Sequence, residues 1–258
     1  MIALFGGTTE SLAIAEKLKS SGHPFMLFTA TDFHVHAHIR QEAINHQVGP
    51  LNQQEMELVF QKENIKMVID ATHPFAVQVS ENLMHVCQGL LIPYYRFERQ
   101  STSTGKSHHV RRFSNYDEGI QFLQNTEGNI LLSTGSHSVS LFTRSLPTER
   151  LYVRVLPIPE ILKKTIEAGV IKDHMMAMKG PFSQEMNVAM IKFWNISYLV
   201  SKDSGSQGGL EEKIKSVEET KTQLILIERP KMDYPKAYNN LDRLFKDIKN
   251  KMEALKHV

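Results

Sequence analysis

Several short segments of this chain put glycine, hydroxyl or charged residues where a β-type run gives way to a helical one. Gly6-Gly7-Thr8-Thr9-Glu10-Ser11 follows the run Ile2–Phe5. A strand that ends in small residues and opens a helix offers backbone N–H groups and a positive dipole end to an anion. Glycine also lets a pyrophosphate come close to the backbone. The dinucleotide fingerprint is incomplete: Thr8 and Ser11 stand where further glycines would be expected, and Glu10 puts a negative charge in the first turn. A plain tight turn is the alternative. Leu132-Ser133-Thr134-Gly135-Ser136 repeats this logic in the second half, as a seat for phosphate or carboxylate or simply as a helix cap.

Asp70-Ala71-Thr72-His73-Pro74-Phe75-Ala76 also ends a β-type run. In open α/β sheets ligands bind beyond the carboxyl ends of the strands, so these side chains are aimed at the expected crevice. His73 can exchange a proton near neutral pH and Asp70 can orient a partner. Alternatively Thr72 caps the next helix, Pro74 opens it and His73 is merely exposed. Lys202-Asp203-Ser204-Gly205-Ser206-Gln207-Gly208-Gly209 ends another run. Its glycines and serines can wrap an anion, while Lys202 offers a point charge or a proton. In Met178-Lys179-Gly180-Pro181-Phe182-Ser183, with Asn187 one turn on, Gly180 either admits a ligand closely or marks an ordinary connection. Arg96, Arg99, Arg111 and Arg112 are solvated surface by default, or carboxylate ligands if they line a cleft. His34, His36 and His38 alternate, but no acidic or cysteine partner nearby completes a metal set, so no metal is expected.

These segments need a scaffold, and the alternation of runs supplies one. Strands are expected at Ile2–Phe5, Phe25–Phe28, Ile65–Asp70 and Leu91–Arg96, then near Ile130–Ser133, Leu151–Val155, His174–Met178, Tyr198–Ser201 and Leu224–Ile227. Helices are expected at Glu10–Ser20, Ala76–Val86, Tyr116–Gln124, Pro159–Ala168, Ser183–Phe193 and Leu210–Glu219. A last amphipathic helix carries Leu241, Leu244, Phe245, Ile248 and Met252 on one face. Strands alternating with helices specify parallel sheets covered by helices. The polar stretch from 99 to 110 reads as a crossing segment, which divides the chain into 1–112 and 113–258 with the boundary inside 97–128.

The 258 residues are 41% hydrophobic and 22% charged, which excludes collagen-like and largely disordered classes. A net charge of +2 is too balanced for a dedicated nucleic-acid binder. Cys87 is the one cysteine, so an intrachain disulfide and a cysteine-based zinc knuckle are excluded. Apolar runs such as Leu90-Leu91-Ile92 are too short to span a bilayer, and Met1-Ile2-Ala3-Leu4-Phe5 lacks the basic start of a signal peptide. A cytoplasmic protein without membrane or nucleic-acid partners is expected.

The order of the segments is more specific than any one of them. GGTTE at 6–10, VIDATHPFA at 68–76, IPYYRFER at 92–99 and LLSTGS at 131–136 are followed by RVLP at 154–157 and MKGPFSQEMN at 178–187. VSKDSGSQGG at 200–209, Glu212-Lys213-Ile214 and IERP at 227–230 complete the series. In this order the chain resembles the precorrin-6A reductase family of cobalamin (vitamin B12) biosynthesis, cobalt-precorrin-6A reductases included, from residue 2 to about 230. The resemblance implies two Rossmann-like parallel-sheet α/β domains with the active site in the cleft between them. It also implies hydride transfer from NADPH or NADH to a double bond of a metal-free or cobalt-containing corrin precursor. On the same ground Gly6, Gly7, Thr8, Ser133, Thr134, Gly135, Ser204, Gly208 and Gly209 would face the coenzyme. Thr72, Arg96, Arg154, Gly180 and Asp203 would face the carboxylate-bearing macrocycle, with Lys202, His73 and Asp70 as catalytic candidates. Thr29-Ala30-Thr31 at the end of the second strand would tolerate a 2′-phosphate, although Asp32 is close by. Two rivals remain. A short-chain dehydrogenase would want a Tyr-x-x-x-Lys pair on one helix, and no expected helix carries one. A non-catalytic nucleotide or tetrapyrrole carrier would bind without oxidising the coenzyme.

Overall fold

The computed structural model describes residues 1–31, 45–98, 107–205 and 208–254. The histidines at 34, 36 and 38 and Asp32 lie outside them. The chain divides into two compact units, Met1–Gln100 with Lys231–Val258, and Ser101–Pro230.

In the first unit β1 (Ile2–Phe5), β2 (Phe25–Thr29), β3 (Asn45–Val48), β4 (Met67–Asp70) and β5 (Tyr94–Phe97) join β12 (Ala237–Tyr238). They form a sheet of order β12-β5-β4-β1-β2-β3 in which every pairing is parallel. Strands β1 and β4 are buried along their whole length, which is why they read as unbroken apolar runs. Helix Thr9–Ser20 and helix Leu241–Ala254 lay Ile14, Leu18, Leu244 and Ile248 on one face, against Ile2, Leu4 and Leu27. On the other face Met56 and Phe60 of helix Gln53–Lys62 and Leu83 and Val86 of helix Val77–Gly89 meet Ala3, Phe5 and Val68.

The second unit repeats the plan. β6 (Val110–Phe113), β7 (Asn129–Leu132), β8 (Leu151–Val155), β9 (Met175–Ala177), β10 (Ile196–Lys202) and β11 (Gln223–Ile227) form a parallel sheet of order β6-β11-β10-β7-β8-β9. Both sheets therefore reverse their strand order at one place, between β1 and β4 and between β7 and β10. Such switch points are where open α/β sheets hold ligands.

The expected second segment, 113–258 in one piece, needs correction. The chain returns to the first unit after Pro230, because β12 hydrogen-bonds along β5 and the last helix closes the core above β1. The amphipathic stripe at 241–252 announces a face to be buried, but only the sheet pairing says which one. β3 and helix Gln53–Lys62 were not expected. β3 is an edge strand of three polar residues and an exposed valine, Asn45-His46-Gln47-Val48, with no buried position. The helix rests on a capping box, Asn52 with Glu55, and buries only two residues. β6 is the outer strand of its sheet and starts where the crossing segment was expected to end. Among the described residues no helix is long and apolar enough to cross a membrane, and no cluster of three metal-ligating side chains occurs.

Candidate functional site

In the first unit Gly6, Gly7 and Thr8 leave the end of β1, and Asp70, Thr72 and His73 leave the end of β4. Gly6 donates its N–H to the Phe28 carbonyl at 2.9 Å, and a Cβ there would collide with the Ser11 side chain. Gly7 has φ +106 with open space where its Cβ would be, so its glycine is required by the backbone and not by a neighbour. The turn's N–H groups are not all offered to a ligand. Buried Ser11 accepts from Gly7 N at 3.0 Å and Thr8 N at 3.1 Å, and donates to the Thr8 carbonyl at 2.7 Å. The serine at a fingerprint glycine position thus organises the turn from within. Thr8 Oγ1 donates to the Ala71 carbonyl at 2.9 Å and so ties the β1 turn to the β4 turn.

Asp70 is wholly buried and its carboxylate is saturated. Oδ1 accepts from Thr72 N at 3.0 Å, Thr72 Oγ1 at 2.6 Å and Arg96 Nη1 at 2.8 Å, and Oδ2 accepts from Ser80 and Tyr94, each at 2.6 Å. A carboxylate with its lone pairs filled orients its donors. Burial works against the Arg96 charge, but Asp70, Tyr234 and Glu98 outweigh it and hold the guanidinium above its ordinary range. Burial and the Asp70 charge push the Tyr94 phenol up, so it stays a donor. Arg96, with Asp70 at 2.8 Å and Glu98 at 3.9 Å, is therefore a neutralised cation that shapes the Thr72 turn. Both residues were expected at the ligand site, and both are engaged by neighbours within the fold.

His73 Nδ1 accepts the Phe75 N–H at 3.2 Å, which in the neutral ring leaves the hydrogen on Nε2. The ring borders a cavity of about 260 Å³ at the ends of β1, β2 and β4, between Phe5, Gly7, Thr29, Pro50 and His73. Among the described residues no acidic side chain lines it. At its rim Thr29 Oγ1 lies 2.8 Å from His46 Nε2 on β3.

In the second unit the hydroxyls after β7 turn inward. Ser133 Oγ donates to the Val200 carbonyl at 2.8 Å, and Thr134 Oγ1 accepts from Ser138 at 2.7 Å. Gly135, at φ +83, has open space around it. Arg154 is the last residue but one of β8 and is buried. Its Nη1 donates to Asn187 Oδ1 at 2.8 Å, and its guanidinium lies 3.9 Å above the Phe182 ring. Gly180 makes that stacking possible, since a Cβ there would stand 3.0 Å from the same ring. Burial lowers the Arg154 pKa to about 10, still charged at neutral pH. Among the described residues no carboxylate forms an ion pair with it.

Lys202 ends β10, and burial lowers its pKa. Tyr198 stands four residues before it, but on the strand, so the helical Tyr–Lys pair of a short-chain dehydrogenase is not formed. Asp203 is nearly enclosed, with Arg112 Nη1 at 3.5 Å and Arg229 Nη2 at 3.9 Å from its carboxylate, and Arg229 Nε on its carbonyl at 3.0 Å. It anchors the loop to β6 and to the segment after β11. A Cβ on Gly208 would collide with Ser204, and Gly209 starts helix Leu210–Thr220 in the left-handed region with no side-chain cap. Sequence reasoning passed over Lys213 as a site residue, although it was part of a quoted motif. Its buried Nζ donates to Ser201 Oγ at 2.9 Å and to the Gly208 carbonyl at 3.4 Å. A lysine four residues after Gly209, where a helix turns its buried face inward, was the available signal.

The comparisons with known proteins bear on the fold and the family. The family model described as Precorrin-6x reductase CbiJ/CobK matches residues 1–249. A cobalt-precorrin-6A reductase of Methanocaldococcus jannaschii is 32% identical over 96% of this chain and 98% of its own length. One of Priestia megaterium is 28% identical over 98% of this chain and the whole of its own. A solved structure of CobK precorrin-6A reductase shares the fold, with a TM-score of 0.79 at 20% identity over 97% of this chain and 96% of that one. With two parallel-sheet units, glycine turns at both switch points and a family match over nearly its full length, the chain belongs to the precorrin-6x reductase family.

Proposed function

We propose that this chain reduces a double bond of cobalt-precorrin-6A with hydride from a reduced nicotinamide dinucleotide. Family membership supports the reaction, and the names of both relatives support the cobalt-containing substrate. Arg154 is the observation that carries the reading: a buried guanidinium at a strand end, close to Lys202 and Lys213, with no ion-paired carboxylate among the described residues. A buried cation without a counter-charge is costly, so a site that keeps one suits an anion that arrives later. The peripheral carboxylates of a corrin precursor are such anions.

The first unit's cavity fits the nucleotide coenzyme. Gly7 leaves space at the β1 turn, and Thr29, Ala30 and Thr31 put no negative charge against a 2′-phosphate, so NADPH and NADH are both admitted. When bound, the coenzyme supplies a hydride to one atom of the double bond, and a proton completes the other. Asp70 and Arg96 hold the Thr72–His73 turn against it, and Ser11 fixes the glycine turn. In the second unit Arg154 and Lys202 bind carboxylates, Gly135, Gly180 and Gly208–Gly209 leave room, and Asp203 with Ser204 fixes the loop. Lys202 and His73 are the groups able to give up a proton. A cytoplasmic setting, where reduced coenzyme is supplied, belongs to the same proposal.

Anaerobic incubation with cobalt-precorrin-6A and NADPH or NADH tests it. Coenzyme oxidation matched by loss of the substrate's long-wavelength absorbance is expected. Saturable binding of both ligands with no oxidation would identify a carrier instead. A Lys202→Met variant that loses the alkaline limb of the pH–rate profile would make Lys202 the proton donor.

A further inference from the structure

Asn187 stands near the start of helix Gln184–Phe193, whose other buried residues, Val188, Met190 and Ile191, are apolar. It is 1% exposed. An enclosed amide is costly unless both its ends are bonded, and here both are. Nδ2 donates to the Ser183 carbonyl at 2.9 Å and to the Phe182 carbonyl at 3.4 Å. Oδ1 must therefore face the other way, where it accepts from Arg154 Nη1 at 2.8 Å. The segment that supplies those carbonyls also supplies the Phe182 ring, 3.9 Å from the guanidinium, and the same Nη1 reaches Met190 Sδ at 3.8 Å. Arg154 is thus held at one N–H edge and on one face. Among the described residues its Nε and Nη2 form no hydrogen bond, and 7% of the residue stays exposed.

We propose that Asn187 is the positioning and selectivity residue of the anion site, a neutral amide that fixes Arg154 without cancelling its charge and so makes the site select a free carboxylate of the corrin over an amidated side chain. The inference rests on the anion-site reading above. An amide accepts from a guanidinium at one end and donates to a carbonyl at the other. An aspartate in its place would set a carboxylate oxygen against the Ser183 carbonyl. It would also neutralise Arg154, as Asp70 neutralises Arg96 in the first unit. A leucine would leave Nη1 without its oxygen acceptor. A planar guanidinium held at one edge offers the other in a fixed direction, and a carboxylate can meet it with two parallel hydrogen bonds. A carboxamide brings one acceptor oxygen and no charge, so it gains less from the same edge.

Cobyrinic acid, a stable corrin polycarboxylate, and the same corrin with its side chains amidated are the probes, titrated calorimetrically into the intact protein. The wild type should bind the acid more tightly. Asn187→Ser should fold, because a serine hydroxyl in a helix can bond the carbonyl four residues back, here that of Ser183, yet it is too short to reach Arg154. Its affinity for the acid should fall by about tenfold, with affinity for the amidated corrin unchanged. Asn187→Asp should lose the same preference by cancelling the charge. Arg154→Met should also lose it, and adding Asn187→Ser to that variant should change nothing further, since Asn187 acts through Arg154. The inference is overturned if Asn187→Ser weakens both corrins alike, leaves both unchanged or adds its full effect to Arg154→Met, or if Asn187→Asp keeps the wild-type preference. A wild-type protein that binds acid and amidated corrin equally would remove the anion site itself, and this inference with it.

Discussion

The two units share a strand order and a switch point, but they treat buried charge in opposite ways. At the end of β4 and β5 the arginine is matched: Arg96 meets Asp70, and the carboxylate is filled by Thr72, Ser80 and Tyr94 as well. At the end of β8 the arginine leans on an amide and an aromatic face, with Lys202 and Lys213 close by. The first arrangement sets charge against charge, although Arg96 Nε and Nη2 have no hydrogen-bond partner, and it lies beside a cavity lined by no acidic side chain among the described residues. In the second, no carboxylate among the described residues forms an ion pair with Arg154. The difference teaches that topology places a site, while the local count of charges decides which ligand it takes.

Breaking the matched pair should have the largest effect. Asp70→Asn strands Arg96 in the core and should cost about 3–5 kcal/mol. Trp194, the single tryptophan, lies in the second unit. Urea unfolding by circular dichroism should therefore begin well before the tryptophan signal changes, and Arg96→Met added to Asp70→Asn should recover much of the loss. Coincident transitions at the wild-type midpoint would show that the pair carries no stability.

The unmatched arginine should behave in the opposite way. Arg154→Met removes no ion pair, so folding should hold or improve, while cobyrinic acid affinity falls by about 1.5–3 kcal/mol, tenfold or more. A variant that unfolds but binds normally when folded would make Arg154 structural.

Stability itself should report Lys213. Its folded pKa lies below the unfolded value of 10.5, so the unfolded chain binds more protons between about 7 and 10.5, and stability should rise with pH across that window. The slope is at most about 1.4 kcal/mol per pH unit, and Lys213→Met should flatten it. A slope unchanged in the variant would assign the titration elsewhere.

The smallest effect concerns the first glycine turn. Ser11→Ala frees the Gly7 and Thr8 N–H groups and should cost about 0.5–2 kcal/mol of stability, with coenzyme affinity altered and macrocycle affinity unchanged. Equal changes in both affinities would mean that the turn does not separate the two ligands.

Much of this was legible in the sequence. Buried parallel strands read as apolar runs because both their faces are covered, and helices announce themselves by a stripe at helical spacing. The ends of such runs are where the chain must turn, so the glycine, hydroxyl and charged residues there could be singled out as candidates without coordinates. The ordered series of motifs was enough to place the chain with a family. What the sequence by itself determined, then, was local: which residues form elements, and which stand at their ends. The tertiary structure decided the rest, because partners were set by pairings distant in the chain. Asp70 could be read as orienting a partner, but that its partners are Arg96 and Tyr94, 26 and 24 residues away, only the fold shows. Arg154 on β8 and Lys202 on β10 stand 48 residues apart in the chain, and only the pairing of both strands with β7 brings their ends to one side of the sheet. Residues 231–254 continue the second unit in sequence but belong to the first, since β12 had its open edge in β5. Burial and pairing energies depend on what surrounds a group in space, and a one-dimensional pattern does not contain that.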